Sequence, residues 1–337
     1  MASIGIIANP ASGKDIRRLV SYATTIDNQE KVNIVKRIVL AAQAMGVDTV
    51  WFMPDTFQIG WTVISDLSAD GRLTAACRLV EIPLTATAQD TTTAAAEMER
   101  LGVGCIVVLG GDGTSRAVAK GIKQVPILPL STGTNNVYPE MIEGTVAGMA
   151  AAAVAQFADP SICCMRDKQI EVRRNGALTD IALVDAVISD DLWIGSKAIW
   201  DPAKIRRIFV TRCHPANIGF STAAGCLEIV TDTDDYGLAV KLEAPGKKII
   251  APIAAGILSE LEIAQAKRMP LDCPEELVLE DACMIALDGE RELQRTAWGY
   301  PDVHGHEKWA MACTGQKSIG RSSSPEPFWS DRMIHLT

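Results

Sequence analysis

Cys105-Ile106-Val107-Val108-Leu109-Gly110-Gly111-Asp112-Gly113-Thr114 reads as a buried strand that runs straight into a glycine-rich loop. An unbroken apolar run of this kind describes a strand covered on both faces. The glycines let the backbone turn sharply and approach a ligand closely. Residues 114–122 then read as a helix, whose first turn presents free N–H groups to an anion. An Asp inside a phosphate-facing loop is unusual, because its charge repels phosphate. Asp112 makes sense as a base that takes a proton from an attacking hydroxyl, or as a group near a metal ion. A tight turn with a capping Asp is the plainer alternative.

The same strand-then-loop pattern recurs on either side. Residues 4–8 read as a strand that breaks at Asn9-Pro10-Ala11-Ser12-Gly13-Lys14. Ser12, nearby N–H groups and Lys14 could reach phosphate oxygens, although the P-loop spacing is absent and an ordinary turn also fits. Residues 127–130 read as a strand followed by Ser131-Thr132-Gly133-Thr134-Asn135-Asn136, whose hydroxyls and amides suit a nucleotide or a polar helix cap. Between these loops, residues 27–45 read as a helix with Asp27 as cap and Glu30 three positions on. Residues 49–53 and 79–82 read as strands, and residues 90–101 as a helix stopped by Gly102. Strands alternating with helices predict an α/β unit with a mainly parallel sheet. Such a sheet gathers its ligand loops at the strands' carboxyl ends.

After about residue 157 the rhythm changes. Residues 169–174 alternate, Asn175-Gly176 supplies a hairpin turn, and residues 180–188 return as a strand. Residues 227–231, 238–243, 277–279 and 283–287 are further strand candidates, which predicts a β-rich, mainly antiparallel second unit. The expected domains are residues 1–157, residues 158–317, and a tail of 318–337. The Ser/Pro-rich stretch 318–327 reads as loop, with Phe328 and Trp329 able to anchor the tail on the body.

Composition bounds the partners. The 337 residues carry a net charge of −9, with −2 in residues 1–157 and −7 in 158–337. Neither half offers the basic field that nucleic acid or an anionic membrane favours. Residues 144–158 form a charge-free stretch, too short to span a bilayer, and read as a buried Ala-rich helix. Nine scattered cysteines without a C-x-x-C pair, and no signal peptide, predict a soluble cytoplasmic protein with reduced thiols.

Gly110-Gly111-Asp112-Gly113-Thr114 resembles the signature shared by NAD kinases, diacylglycerol kinases and sphingosine kinases. Asn9-Pro10-x-Ser12-Gly13 resembles the lipid-kinase side of that superfamily, and Thr132-Gly133-Thr134-Asn135 resembles the loop that follows in both branches. Overall the chain is similar to the ATP-NAD kinase-like family of the AcoX type. The resemblance implies a two-domain kinase with its site in the cleft between domains, ATP as donor and Mg2+ as cofactor. Asp112 would be the catalytic base or a metal-associated carboxylate. Asn9, Ser12, Gly13, Gly110, Gly111, Gly113, Thr114, Thr132, Gly133, Thr134, Asn135 and Asn136 would bind nucleotide. In NAD kinases an Asn-Glu pair contacts the dinucleotide; Val184 and Asp185 stand at those positions here, which puts NAD in question as acceptor. Asp288-Gly289-Glu290 resembles the late Asp-Gly-x turn, so Asp185 and Asp288 are expected to bind substrate, although a plain hairpin turn also fits Asp288.

The leading expectation is an ATP-dependent phosphotransferase acting on a small soluble hydroxyl compound, NAD first. A lipid kinase and a non-catalytic nucleotide-binding regulator are the alternatives. Dimers or tetramers are compatible with the family likeness. Several further signals carry less. His304 and His306 suit a surface loop, Cys163-Cys164 ordinary thiols, and Asp232, Asp234 and Asp235 a polar turn. Arg206, Arg207 and Arg212 suit either a solvated face or a phosphate cleft. Trp193 and Trp200 suit packing, or stacking on a ring.

Overall fold

The computed structural model describes residues 1–12, 26–133, 135–190, 202–279, 282–295 and 308–322. The first half is α/β. Strands β1 (Ala2–Ala8), β2 (Val47–Phe52), β3 (Ala76–Leu79), β4 (Cys105–Gly110) and β5 (Ile127–Ser131) pair in parallel in the order β3-β2-β1-β4-β5. Helices α1 (Asn28–Ala44), α2 (Ile59–Ala69), α3 (Ala88–Arg100), α4 (Asp112–Gly121) and α5 (Gly144–Gln156) connect or flank them.

Strand β4 shows why the apolar run is continuous. Successive side chains of a strand point to opposite faces. Cys105, Val107 and Leu109 pack in one core with Val35 and Ile38 of α1 and Ala147 and Ala151 of α5. Ile106 and Val108 pack in the other with Ala94 and Met98 of α3 and Val118 of α4. Helix α1 begins where expected, because the Asp27 carboxylate accepts from the Glu30 N–H at 2.7 Å.

The sheet does not stop at residue 157. Beyond β5 it continues through β15 (Lys308–Ser322), β6 (Cys164–Arg174) and β7 (Ala177–Ala182), and β12 (Glu275–Val278) also pairs with β15. The second sheet is antiparallel throughout. It contains β8 (Asp185–Ser189), β9 (Ile205–Val210), β10 (Tyr236–Ala254), β11 (Ile257–Pro270), β13 (Cys283–Leu287) and β14 (Glu290–Arg295), in the order β11-β10-β9-β8-β13-β14. A short helix, α6 (Phe220–Gly225), packs against β9 and β10. Asn175-Gly176 makes the expected hairpin turn, with φ of 50° and 82°.

Several expectations need correction. The strand expected over residues 180–188 is two strands in different sheets, separated by Leu183 and Val184. Their N–H groups leave the ladder to donate to the Asp288 carboxylate. Residues 227–231 form no strand; only Val230 bridges to Cys213. The N–H and hydroxyl of Thr231 instead bind Asp234, both at 2.7 Å, and turn the chain. Strand β3 lies earlier than residues 79–82, and α2 has no counterpart among the expected elements. Residues 318–322, expected as loop, are the end of β15, and residues 320–322 pair with β6. Phe328 and Trp329 lie outside the described residues, as does the rest of the tail beyond residue 322. Among the described residues no helix is long and apolar enough to cross a membrane.

Candidate functional site

The three glycine-containing loops leave the carboxyl ends of the adjacent parallel strands β1, β4 and β5, and hydrogen bonds tie them together. Asn9 donates through its backbone N–H to Leu109 O at 3.0 Å and through Nδ2 to Thr114 Oγ1 at 2.9 Å. Ser12 Oγ lies 3.1 Å from Thr132 Oγ1, and the Thr132 N–H donates to Gly110 O at 3.2 Å. Asn136 Nδ2 donates to Ser131 Oγ at 2.7 Å and to Gly133 O at 3.3 Å, which curls the third loop on itself. Close approach explains two of the glycines. A Cβ on Gly110 would stand 2.5 Å from Thr114, and one on Gly111 would stand 2.8 Å from Asn136 Oδ1.

Asp112 is the first residue of α4 and is half-buried. Its Oδ1 accepts from the N–H groups of Tyr138 at 2.8 Å and Val137 at 3.1 Å, and Oδ2 lies 3.2 Å from the Val137 nitrogen. Two backbone donors from the segment after β5 thus orient the carboxylate. The α4 N-terminus beside it favours anions. Glu290, from the second sheet, comes close to the same turn, since a Cβ on Gly113 would meet its carboxylate at 3.1 Å.

Asp185 and Asp288 lie together in a buried junction. Asp288 Oδ1 accepts from the N–H of Val184 at 2.7 Å and of Asp185 at 3.2 Å, and Oδ2 from Leu183 at 3.0 Å. The Asp288 N–H donates back to Asp185 O at 2.9 Å. Arg116, one turn after Asp112 on α4, places Nε 3.6 Å from Asp288 Oδ2 and Nη1 3.5 Å from Asp180 Oδ2. Burial pushes the Asp288 carboxyl above its ordinary value, against the pull of Arg116 and the N–H donors. This carboxylate therefore holds α4 against the crossing between the sheets.

Tyr138 leads to a second buried group. Its hydroxyl donates to Asp167 Oδ2 at 2.9 Å, and Arg212 Nη2 donates to Asp167 Oδ1 at 2.5 Å. The Arg212 guanidinium lies over the Tyr138 ring, 5.1 Å from its centroid. Burial alone would lower its pKa, but Asp167, Tyr138 and Asp232 outweigh burial and hold it above the ordinary value.

The remaining candidates are placed as follows. Gly13, Lys14 and Thr134 lie outside the described residues, as do Trp193, Trp200, His304 and His306. Arg206 pairs with Asp190 and Arg207 with Glu275, each at 2.5 Å. Cys163 and Cys164 are half-buried with sulfurs 3.8 Å apart, and burial pushes the Cys164 thiol up to about 12. None of the nine cysteines is in a disulfide.

Residues 4–157 match the family model of the ATP-NAD kinase N-terminal domain. Residues 168–300 match the model of the acetoin catabolism protein X C-terminal domain. Acetoin catabolism protein X of Cupriavidus necator is 40% identical over 302 residues, which covers 86% of this chain and 84% of the relative. The chain belongs to the acetoin catabolism protein X family. A solved diacylglycerol kinase from Bacillus anthracis aligns over 96% of this chain and 97% of its own, with 12% identity and a TM-score of 0.43.

In this member of the acetoin catabolism protein X family, the scaffold behind the loops includes a residue the motifs do not reveal. Lys31 is fully buried in α1, and its Nζ donates to Asn9 O at 2.9 Å, Ser12 O at 2.8 Å and Asn28 Oδ1 at 3.1 Å. Helical spacing was the available signal, because Lys31 shares its face with Val35, Ile38 and Ala42. A lysine on an apolar stripe implies a buried partner. Lys31→Met should leave the two loop carbonyls without this donor and destabilise the protein by about 2 kcal/mol. Urea unfolding measures that loss. An unchanged stability would show that the ammonium does not hold the loop.

Proposed function

We propose that the chain is an ATP-dependent phosphotransferase, moving the terminal phosphoryl group to a hydroxyl of a small soluble acceptor, with NAD the first candidate. The observation that carries this reading is Asp112, a carboxylate oriented by the Val137 and Tyr138 N–H groups where three strand-end loops converge. The hydroxyls and N–H groups of those loops suit phosphate oxygens. The carboxylate repels phosphate but is suited to accept a hydroxyl proton. In the reaction the acceptor oxygen attacks the terminal phosphorus of ATP, the bond to the ADP oxygen breaks, and the hydroxyl proton passes to Asp112.

Magnesium fits this site as an ion carried on the donor's phosphates. Among the described residues no three His, Cys, Asp or Glu side chains converge on one point. Mg2+ is commonly bound by one or two carboxylates together with substrate phosphates, and Asp112 and Glu290 are the carboxylates beside the Gly113 turn that would serve. Bound there, the ion would neutralise charge on the transferring group. The net charge of −9 and the free cysteines support a cytoplasmic protein without nucleic-acid or membrane partners.

The test is phosphoryl transfer from labelled ATP with magnesium and NAD. Formation of NADP would establish NAD as acceptor despite Val184 and Asp185. Protection by ATP against thermal unfolding without NADP would keep the donor site and move the search to another hydroxyl compound. The absence of both protection and transfer would overturn the reading.

A further inference from the structure

Tyr138 joins Asp112 to a buried ion pair that the β-rich part of the chain supplies. Its N–H donates to Asp112 Oδ1 at 2.8 Å, and its hydroxyl donates to Asp167 Oδ2 at 2.9 Å. Asp167 lies in β6 and accepts on its other oxygen from Arg212, just past the end of β9. All three side chains are buried. The Tyr138 ring packs in one core with Val118 of α4, the helix that begins at Asp112. Leu183 and Val184, where the chain crosses between the sheets, belong to the same core.

Apolar packing alone does not aim a carboxylate. Burial of apolar surface is non-directional, whereas a hydrogen bond has a narrow range of length and angle. One made to an ionised carboxylate is among the strong ones. A tyrosine has two side-chain torsions, so holding its hydroxyl also holds its backbone N–H. Asp167 grips Tyr138 at the tip, and the Arg212 guanidinium lies over the ring face. Asn136 and Glu140 tie the segment to β5 on either side. Tyr138 fixes the part between them, the part that touches the base. Stability does not account for the ion pair, because apolar residues of similar volume often serve as well as a buried pair. What they do not supply is an acceptor for the tyrosine hydroxyl.

We propose that Tyr138, held by the Asp167–Arg212 pair, is a positioning residue for Asp112, so that residues of the β-rich part set the aim of the base in the α/β part. The role in phosphoryl transfer rests on the kinase reading; the coupling of the Tyr138 hydroxyl to the Asp112 carboxylate does not. Tyr138 moves no proton itself. Its hydroxyl stays on Asp167 while the acceptor's proton passes to Asp112.

The test uses the full chain and Tyr138→Phe, which keeps the ring and removes the hydroxyl. Without ATP, the Val137 amide proton resonance should move upfield, in the direction in which Asp112→Asn moves it, because both changes weaken the bond to the carboxylate. With labelled ATP, magnesium and NAD, kcat should fall about tenfold while the KM for ATP stays within about twofold. The double variant Tyr138→Phe with Asp112→Asn should transfer no more slowly than Asp112→Asn alone, because Tyr138 acts through that carboxylate. If Tyr138→Phe does not fold, the Tyr138 hydroxyl proton resonance decides: coupling is reciprocal, so Asp112→Asn should move it. An unmoved Val137 amide in Tyr138→Phe, or an unmoved hydroxyl resonance in Asp112→Asn, would overturn the proposal. So would a raised KM at unchanged kcat, or an equal loss of kcat with and without the Asp112 carboxylate. A moved amide with no transfer by the wild type would remove the kinase reading and leave the coupling. Transfer by the wild type with an unmoved amide would keep the kinase and remove Tyr138 from the aim of its base.

Discussion

Phosphoryl transfer by the Asp112→Asn variant is expected to fall about a thousandfold, with ATP affinity and thermal stability nearly unchanged. A positioned general base contributes roughly 10²–10⁴ in rate. Asparagine has the same shape, and its oxygen still accepts from the Tyr138 N–H that binds Asp112 Oδ1 at 2.8 Å. The loop that carries the residue is therefore preserved, while the group that takes the proton is gone. The loss should lie in kcat, since an interaction made only in the transition state leaves ground-state binding alone. Turnover within about tenfold of wild type would be far below what a general base supplies. Asp112 would then be an anchor for Val137 and Tyr138 rather than a base.

The parts of the fold legible in the sequence are those where one local pattern meets one environment. Strand β4 is apolar at every position because helices cover both faces, so its reading needs no tertiary information. Helix α1 carries its own start signal in Asp27. What escaped is set at a distance. Helix α2 follows Gln58, which is left-handed with φ 56° and caps nothing with its side chain; Asp55 accepts instead from the Phe57 and Ile59 N–H groups. The hairpin of β10 and β11 runs well beyond the residues 238–243 that could be read. Past Lys241 many of its side chains are exposed or half-buried, and Ala244-Pro245-Gly246 resembles a turn. Strand β15 owes its existence to β6, with a register shift between Gly315 and Gly320 that no local pattern announces.

The candidate site divides in the same way. The three loops were readable because each follows an apolar strand. Their supports were not, because Lys31, Arg116 and Asp167 come from three separate elements, and Arg212 and Glu290, though singled out in the sequence, gave no sign of what they touch. Polar residues scattered through a sequence acquire a common purpose only when the sheets are assembled.

Asp288→Ala is expected to destabilise the protein by about 3–5 kcal/mol, the usual result of removing one partner from a buried charged group. Three effects act together. The N–H groups of Leu183, Val184 and Asp185 lose their acceptor where the chain passes from the first sheet to the second. Arg116, 5% exposed, loses its contact with Asp288. Position 288 also has φ 50°, a left-handed conformation that Asp and Asn adopt more readily than Ala. Asp288→Asn separates these contributions: it keeps the left-handed turn and one acceptor oxygen for Val184 and Asp185, while the charge and the second acceptor beside Arg116 are lost, so its loss should be smaller, about 1–2 kcal/mol. Urea unfolding of both variants gives the comparison. Because Arg116 lies one turn from Asp112 on α4, the alanine variant that remains folded in the cold should also bind ATP more weakly. Equal stabilities for Ala and Asn would place the whole effect in the charge on Arg116. An alanine variant as stable as wild type would mean that the crossing between the sheets holds without Asp288, and the junction would no longer account for how the second sheet is fastened behind the loops.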